Sequence, residues 1–167
     1  MAESELNELV EKNVKLGQLN FTENLADAVN QADLIFIAVG TPSRRGDGHA
    51  DLQYVYAAAK EIAHHINDYV VIVNKSTVPV GTAQEVKKII KQANPKADFD
   101  VASNPEFLRE GSAIEDFLRP NRVVIGVESE RSKKFLSRFI KDETIQVGFL
   151  CFLKMVYYIT VLLPNAT

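Results

Sequence analysis

Short runs of consecutive apolar residues alternate along the chain with longer segments of helical periodicity. The run LIFIAV at Leu34–Val39 is too short for a buried helix. Its length and continuity fit a strand that is covered on both sides. The same reasoning predicts three further strands, at Tyr69–Val73, Phe99–Ala102 and Arg122–Val127.

The segments between these runs predict helices. Over Glu5–Val14 the apolar residues recur on one helical face. The other predicted helices are Asn24–Gln31, Leu52–Ile66, Gly81–Ala93 and Ser129–Ile140. Asp51 is the expected N-cap of the third helix, since its carboxylate can accept from the first free N–H groups. Thr82 and Glu85 have the spacing of a capping box in the fourth.

Strands that alternate with helices favour parallel pairing. We therefore expect an α/β fold, a doubly wound, mostly parallel, Rossmann-like sheet with helices on both faces. A length of 167 residues fits one domain, which we place at residues 1–140. The remaining residues, 141–167, form an apolar tail with Lys154 in its middle. Three interpretations of this tail stay open: a short membrane span, a segment packed on the sheet, or a truncated or out-of-frame end.

Composition narrows the class of protein. The chain is 46% hydrophobic and 25% charged, and its net charge is −3, without a basic run, so we expect no nucleic-acid partner. One cysteine cannot form an internal disulfide, and no cluster has metal-ligand spacing, so we expect no metal. The acidic, amphipathic start MAESELNELVEKN does not resemble a signal peptide. The cytoplasm is the expected compartment, with no membrane partner.

Three polar loops leave the carboxyl ends of predicted strands, where doubly wound sheets bind their ligands. They are VGTPSRRGDGH after the first strand, NKSTVPVG after the second and SNPEFLREG after the third. Glycine allows close backbone approach, and hydroxyl groups and helix starts offer hydrogen bonds to anions. Ordinary strand-to-helix connections have a similar composition. The three loops on one edge indicate a binding site, but they do not identify a reaction.

The segments FIAVGTPSRRGDGHADLQYV, NKSTVPVGT and SNPEFLREGSAIEDFLRPNRVVIG resemble consecutive signatures of the UDP-glucose 6-dehydrogenases, a branch of the UDP-glucose/GDP-mannose dehydrogenase family. The resemblance spans roughly Ser4 to Ile140. It implies NAD as cofactor and two successive oxidations at C6 of UDP-glucose, through an enzyme thioester, to UDP-glucuronate. It also implies a homo-oligomeric full-length protein.

The resemblance assigns roles to individual residues. Glu106 and Thr77 are the implied catalytic pair, which acts on a water in proton transfer and thioester hydrolysis. The implied cofactor-binding residues are Val39, Gly40, Thr41, Ser76, Thr77 and Glu110. The implied substrate-binding residues are Glu106, Phe107, Leu108, Arg109 and Glu110. Desolvation near apolar neighbours can raise the proton affinity of a carboxylate such as Glu106. The alternative for Glu106 and Glu110 is a solvated pair at the start of a helix, favoured by the helix dipole.

The chain also departs from the family pattern. It contains no G-x-G-x-x-G turn after a strand, so we expect the first βαβ unit to be missing. The segments that carry the family's catalytic lysine, asparagine and cysteine are not found either. The stretch GFLCFLKM around Cys151 resembles the family motif around the catalytic cysteine only superficially. We therefore expect no nucleophilic role for Cys151.

We therefore expect the 167-residue chain to be inactive by itself. Two classes of function stay open: part of an enzyme of this family, or a non-catalytic remnant or module that binds a UDP-sugar or a partner. Within the enzyme class, a relative that acts on GDP-mannose is the alternative to one that acts on UDP-glucose.

Overall fold

The computed structural model describes residues 2–44, 46, 48–105, 116 and 123–140. Its helices are α1 (Ala2–Lys15), α2 (Leu25–Asn30), α3 (Gln53–Ala63), α4 (Thr82–Ala93) and α5 (Glu130–Ile140). Its strands are β1 (Leu34–Ile37), β2 (Val70–Asn74), β3 (Phe99–Ser103) and β4 (Gly126–Val127). All five predicted helices and the first three predicted strands are confirmed, with ends that differ by up to three residues.

The strands form one sheet in the order β1-β2-β3-β4. β1 pairs with β2, and β2 with β3, in parallel. β4 pairs with β3 in the antiparallel sense. The expected α/β, mostly parallel sheet is thus confirmed, but the prediction for the fourth strand is wrong in direction and length. An antiparallel strand at the edge of a parallel sheet is common in doubly wound folds, and the apolar pattern contains no information on strand direction.

Both faces of the sheet are buried, as the continuous apolar runs predict. On one face, alternate residues of the three parallel strands pack against α3 and α4 around Val55, Ile62, Val86 and Ile90. On the opposite face, the intervening residues pack against α5 through Leu136. All five residues of β2 are buried, so β2 is the central strand of the core. The predicted helices on both faces are confirmed.

Two expected helix caps are wrong in detail. Leu52, not Asp51, is the cap residue of α3, although the Asp51 carboxylate still accepts from the Gln53 N–H at 3.1 Å. The predicted capping box of α4 does not form, because Gly81 is the N-cap and the helix begins at Thr82, one residue too early for a Thr82 cap. Thr82 is therefore inside the helix, and its hydroxyl donates to the Pro79 carbonyl at 2.7 Å. The cap position belongs to Gly81, whose φ of 95° is one that glycine adopts without strain.

Polar side chains join the helices to one another and to the sheet. The Asn94 amide, at the end of α4, donates to the carbonyls of Ala63 and Ile66 at 2.9 and 3.2 Å. On the other face, the Asp100 carboxylate accepts from the hydroxyls of Tyr69 at 2.8 Å and Ser129 at 2.7 Å, which fixes the start of α5.

No helix among the described residues is long and apolar enough to cross a membrane. The tail at 141–167, which includes Cys151, lies outside the described residues, so its three interpretations remain predictions.

Candidate functional site

The carboxyl ends of β1, β2 and β3 lie in register at one edge of the sheet, which we call the rim. Ile37 of β1 is opposite Asn74 of β2, and Asn74 is opposite Ser103 of β3. The Lys75 N–H donates to the Ile37 carbonyl at 2.9 Å, which continues the ladder one residue beyond β2. The three polar loops therefore leave the sheet at one level, as the parallel pairing predicted.

The first and second loops are joined directly. The Ser76 hydroxyl donates to the Val39 carbonyl at 2.7 Å. This bond brings two of the expected cofactor-binding residues, Val39 and Ser76, into contact, and the other three of these loops, Gly40, Thr41 and Thr77, are their neighbours in sequence. Thr77 is exposed, and its hydroxyl makes no hydrogen bond with the described part of the chain. It is available to a ligand or a water.

Gly40 leaves open space at this junction. A Cβ built on Gly40 would meet no atom of the described residues within 4 Å. A ligand can thus approach the backbone between the first two loops without displacing a side chain. The hydroxyls of Thr41 and Thr77 and the backbone at Gly40 can form hydrogen bonds with the ribose hydroxyls and phosphate oxygens of a dinucleotide. The residues present therefore fit such a cofactor.

The third loop is described only at its base. The Asn104 N–H donates to the Asn74 carbonyl at 2.9 Å, and the Asn104 amide donates to the Val124 carbonyl at 2.9 Å. The predicted catalytic and substrate-binding residues Glu106–Glu110 lie outside the described residues. Their roles remain predictions.

Asn74 is a rim residue that the sequence reasoning missed. Its side chain is 1% exposed, and neither its amide nitrogen nor its amide oxygen has a hydrogen-bond partner within the described ranges. Asn74 lies on the same face of β2 as Val70 and Ile72, and this face packs against α3 and α4. The signal in the sequence was a polar residue at the end of the apolar run VVIV.

Among the described residues, the strongly shifted pKa of Tyr69 belongs to a side chain that lies away from the rim. Burial, and then the hydrogen bond to Asp100, raise the pKa of Tyr69 far above its usual range. The Arg131 guanidinium stacks on the Tyr69 ring, 3.3 Å from its centre. Because Tyr69 precedes β2, this cluster is at the opposite edge of the sheet and supports α5. We found no group of metal-binding residues among the described residues.

Comparison with known proteins decides the family. The model of the UDP-glucose/GDP-mannose dehydrogenase family, NAD binding domain, matches residues 1–142. The chain belongs to this family. The Rossmann-like fold and NAD as the family's cofactor, both expected from the sequence, are confirmed.

Individual relatives agree with this assignment. The chain is 65% identical to a UDP-glucose 6-dehydrogenase of Rhizobium meliloti over 123 residues, which are 74% of this chain and 28% of that protein. It is 54% identical to the UDP-glucose 6-dehydrogenase TuaD of Bacillus subtilis over 128 residues, 76% of this chain and 28% of the relative. The chain thus spans between a quarter and a third of the length of these curated relatives.

Solved structures show the same fold. A UDP-glucose dehydrogenase from Pyrobaculum islandicum superposes with a TM-score of 0.71 at 46% identity, over 75% of this chain and 30% of that one. A GDP-mannose dehydrogenase from Pseudomonas aeruginosa gives a TM-score of 0.74 at 30% identity, over 86% of this chain and 37% of that one. The backbone is thus shared across both branches of the family, whereas sequence identity is higher with the UDP-glucose branch.

Proposed function

We propose that this chain forms part of an NAD-dependent UDP-glucose 6-dehydrogenase, which oxidises UDP-glucose to UDP-glucuronate through an enzyme thioester. The observation that carries the proposal is the hydrogen bond from Ser76 to Val39, which joins two family signatures at the rim. The identities of 65% and 54% to UDP-glucose enzymes, against 30% to a GDP-mannose enzyme, favour UDP-glucose as substrate.

The rim would bind the cofactor through the first two loops. Val39, Gly40 and Thr41 would line one side of the cofactor, and Ser76 and Thr77 the other. The Ser76 hydroxyl donates its hydrogen bond to the Val39 carbonyl, so it can only accept hydrogen bonds from a ligand. Glu110 would complete the cofactor side. When bound, NAD would accept a hydride from C6 of the sugar, and the protein's own residues would orient the sugar and control the access of water.

The third loop would hold the sugar and the catalytic carboxylate. Phe107, Leu108 and Arg109 would line the sugar-nucleotide pocket, with Glu106 near C6. Thr77 is exposed at the rim, and its hydroxyl would hold the water that attacks the thioester. Glu106 would take a proton from that water while the oxygen of the water bonds to the thioester carbon. The carbon–sulfur bond would then break, with the thiolate as leaving group and the acid as product. A carboxylate within hydrogen-bond reach of the water is required for this step.

We also propose that the full-length protein is cytoplasmic and homo-oligomeric, as the resemblance implies. UDP-glucose and NAD would be its small-molecule partners.

A chimera tests the proposal. In this chimera, the 123-residue segment of the Rhizobium meliloti relative that aligns with this chain is replaced by the corresponding segment of this chain. We expect it to form NADH with UDP-glucose and NAD. Glu106→Gln keeps the shape of the side chain and removes the base, so turnover should fall by about 10²–10⁴-fold. A covalent sugar–enzyme adduct should then accumulate, which intact-mass spectrometry detects. Thr77→Ala should act in the same way but more weakly.

The 167-residue chain alone, mixed with the same substrates, serves as the negative control and should form no NADH. Oxidation of GDP-mannose but not UDP-glucose by the chimera would contradict the proposed substrate. A Glu106→Gln chimera that turns over at the parental rate without an adduct would contradict the catalytic role of Glu106.

A further inference from the structure

Three hydroxyl side chains lie between the end of β2 and the first residue of α4, and two of them bind backbone carbonyls of the protein. The Ser76 hydroxyl donates to the Val39 carbonyl at 2.7 Å. The Thr82 hydroxyl donates to the Pro79 carbonyl at 2.7 Å. Thr77 lies between them in the sequence, is exposed, and makes no hydrogen bond with the described part of the chain. The two outer hydroxyls therefore hold the second loop, and that of Thr77 is available to a ligand.

Thr82 closes a tight turn at the end of this loop. Its N–H donates to the Pro79 carbonyl at 3.2 Å, and its hydroxyl binds the same carbonyl. Gly81, the third residue of the turn, has a φ of 95° and a ψ of −14°, which is the conformation of this position in a type II turn. Because Thr82 is 3% exposed, water does not compete for its hydroxyl. The turn is thus fixed to the start of α4.

Few freely rotating backbone bonds separate this turn from Thr77. Pro79 has a fixed φ, and it also restricts the backbone of the preceding residue, Val78. The side chain of Val78 is partly buried and packs against the core. On the other side of Thr77, the bond from Ser76 to Val39 fixes the backbone. The position of the Pro79 carbonyl therefore determines the path of the chain as far as Thr77.

We propose that Thr82 is a positioning residue, which holds Thr77 in place at the rim through the turn at Pro79. The inference rests on the proposed function, in which the Thr77 hydroxyl holds the attacking water. A displacement of about 1 Å near a reacting group can cost about 10²-fold in rate. Without the Thr82 hydroxyl, the Pro79 carbonyl keeps only the N–H bond, so the turn and Thr77 are less well fixed. Loss of this hydroxyl should therefore slow thioester hydrolysis, although Thr82 is buried beneath the loop.

The test uses Thr82→Val in the chimera, since valine keeps the branched shape and removes the hydroxyl. We expect kcat to fall by about 3–10-fold, with a smaller change in KM, and the covalent adduct to accumulate. Thr82→Ser keeps the hydroxyl and should retain the parental rate. In the Thr77→Ala background, Thr82→Val should slow hydrolysis no further, because the group that it positions is already lost.

Tyr69→Phe is the matched control. It also removes one hydroxyl and keeps the shape of the side chain, but this hydroxyl donates to the Asp100 carboxylate, at 2.8 Å, at the opposite edge of the sheet. At neutral pH it should lower the midpoint of urea unfolding, as Thr82→Val does, but leave kcat and adduct formation unchanged.

Four outcomes would overturn the inference. Parental kcat of Thr82→Val, with Thr77→Ala slow, would leave the proposed function standing and show that Thr82 is only structural. Equal losses in Thr82→Val and Thr82→Ser would show that the hydroxyl is not the group that acts. A double variant that is slower than Thr77→Ala by the full factor of Thr82→Val would show that Thr82 does not act through Thr77. Parental turnover of Thr77→Ala alone would overturn both the role of Thr77 and the inference built on it.

Discussion

Replacement of Asn74 by leucine should stabilise the protein. The amide of Asn74 is 1% exposed, and its two polar atoms have no partner in the described part of the chain. A buried polar group without a partner costs about 1–3 kcal/mol, and an apolar group of the same shape avoids that cost. Leucine has the same branching at Cγ as asparagine. We expect the free energy of unfolding to rise by about 1–2 kcal/mol, which corresponds to an increase in Tm of about 2–6 °C.

Urea unfolding of the chain measures this effect. The midpoint should rise while the slope stays constant, because the surface exposed on unfolding hardly changes. Asn94→Leu is the matched control with the opposite sign. It removes the same amide from a side chain that donates to the carbonyls of Ala63 and Ile66, so it should cost about 1–3 kcal/mol.

The Asn74 amide has no partner in the described part of the chain, whereas the Asn94 amide donates to two carbonyls. If Asn74→Leu destabilises the protein as much as Asn94→Leu does, the Asn74 amide is hydrogen-bonded and the reasoning is wrong. A gain in stability would confirm that the amide of Asn74 is buried without a partner. A loss of activity in the more stable Asn74→Leu chimera would indicate that the amide is retained for function.

The remaining predictions concern ionisation and the rim. Because its pKa is raised, the Tyr69 hydroxyl stays protonated in the folded protein at a pH at which it ionises in the unfolded chain. The free energy of unfolding should therefore fall as pH rises above about 10. Tyr69→Phe should remove this fall in urea unfolding at alkaline pH, and parallel curves for both proteins would refute it. The hydrogen bond from Lys87 lowers the pKa of Glu128, so the pair stabilises the fold above the ordinary carboxyl pKa and loses this effect as pH falls through the lower, folded value. Both groups are exposed, so Glu128→Gln should lower the free energy of unfolding by less than about 1 kcal/mol at neutral pH. The loss should be smaller in high salt, which screens the pair. A loss of stability that does not depend on salt would argue against an ion pair. Ser76→Ala in the chimera removes the bond to Val39 and should raise KM for NAD by up to about tenfold, with little change in kcat; an unchanged KM would show that the bond does not organise the cofactor side.

The apolar pattern by itself determined the central part of the fold. The runs that became β1, β2 and β3 are continuous, and a strand of that kind is stable only when both of its faces are covered. Burial of both faces requires helices on each side, and helical crossovers make neighbouring strands parallel. The edge at which the three polar loops meet follows from that pairing, so the rim was predictable before its contacts were known.

Tertiary structure decided the features that depend on atoms far apart in the chain. β4 runs antiparallel to β3, because strand direction depends on the path of the connection and not on the residues of the strand. Thr82 has the sequence of a cap but lies inside α4, since Gly81 takes the cap position with a positive φ. The bonds from Ser76 to Val39 and from Asn104 to Val124 join residues 37 and 20 positions apart. Hydrogen bonds act over about 3 Å, so such partners are determined only when the packed sheet brings their loops together.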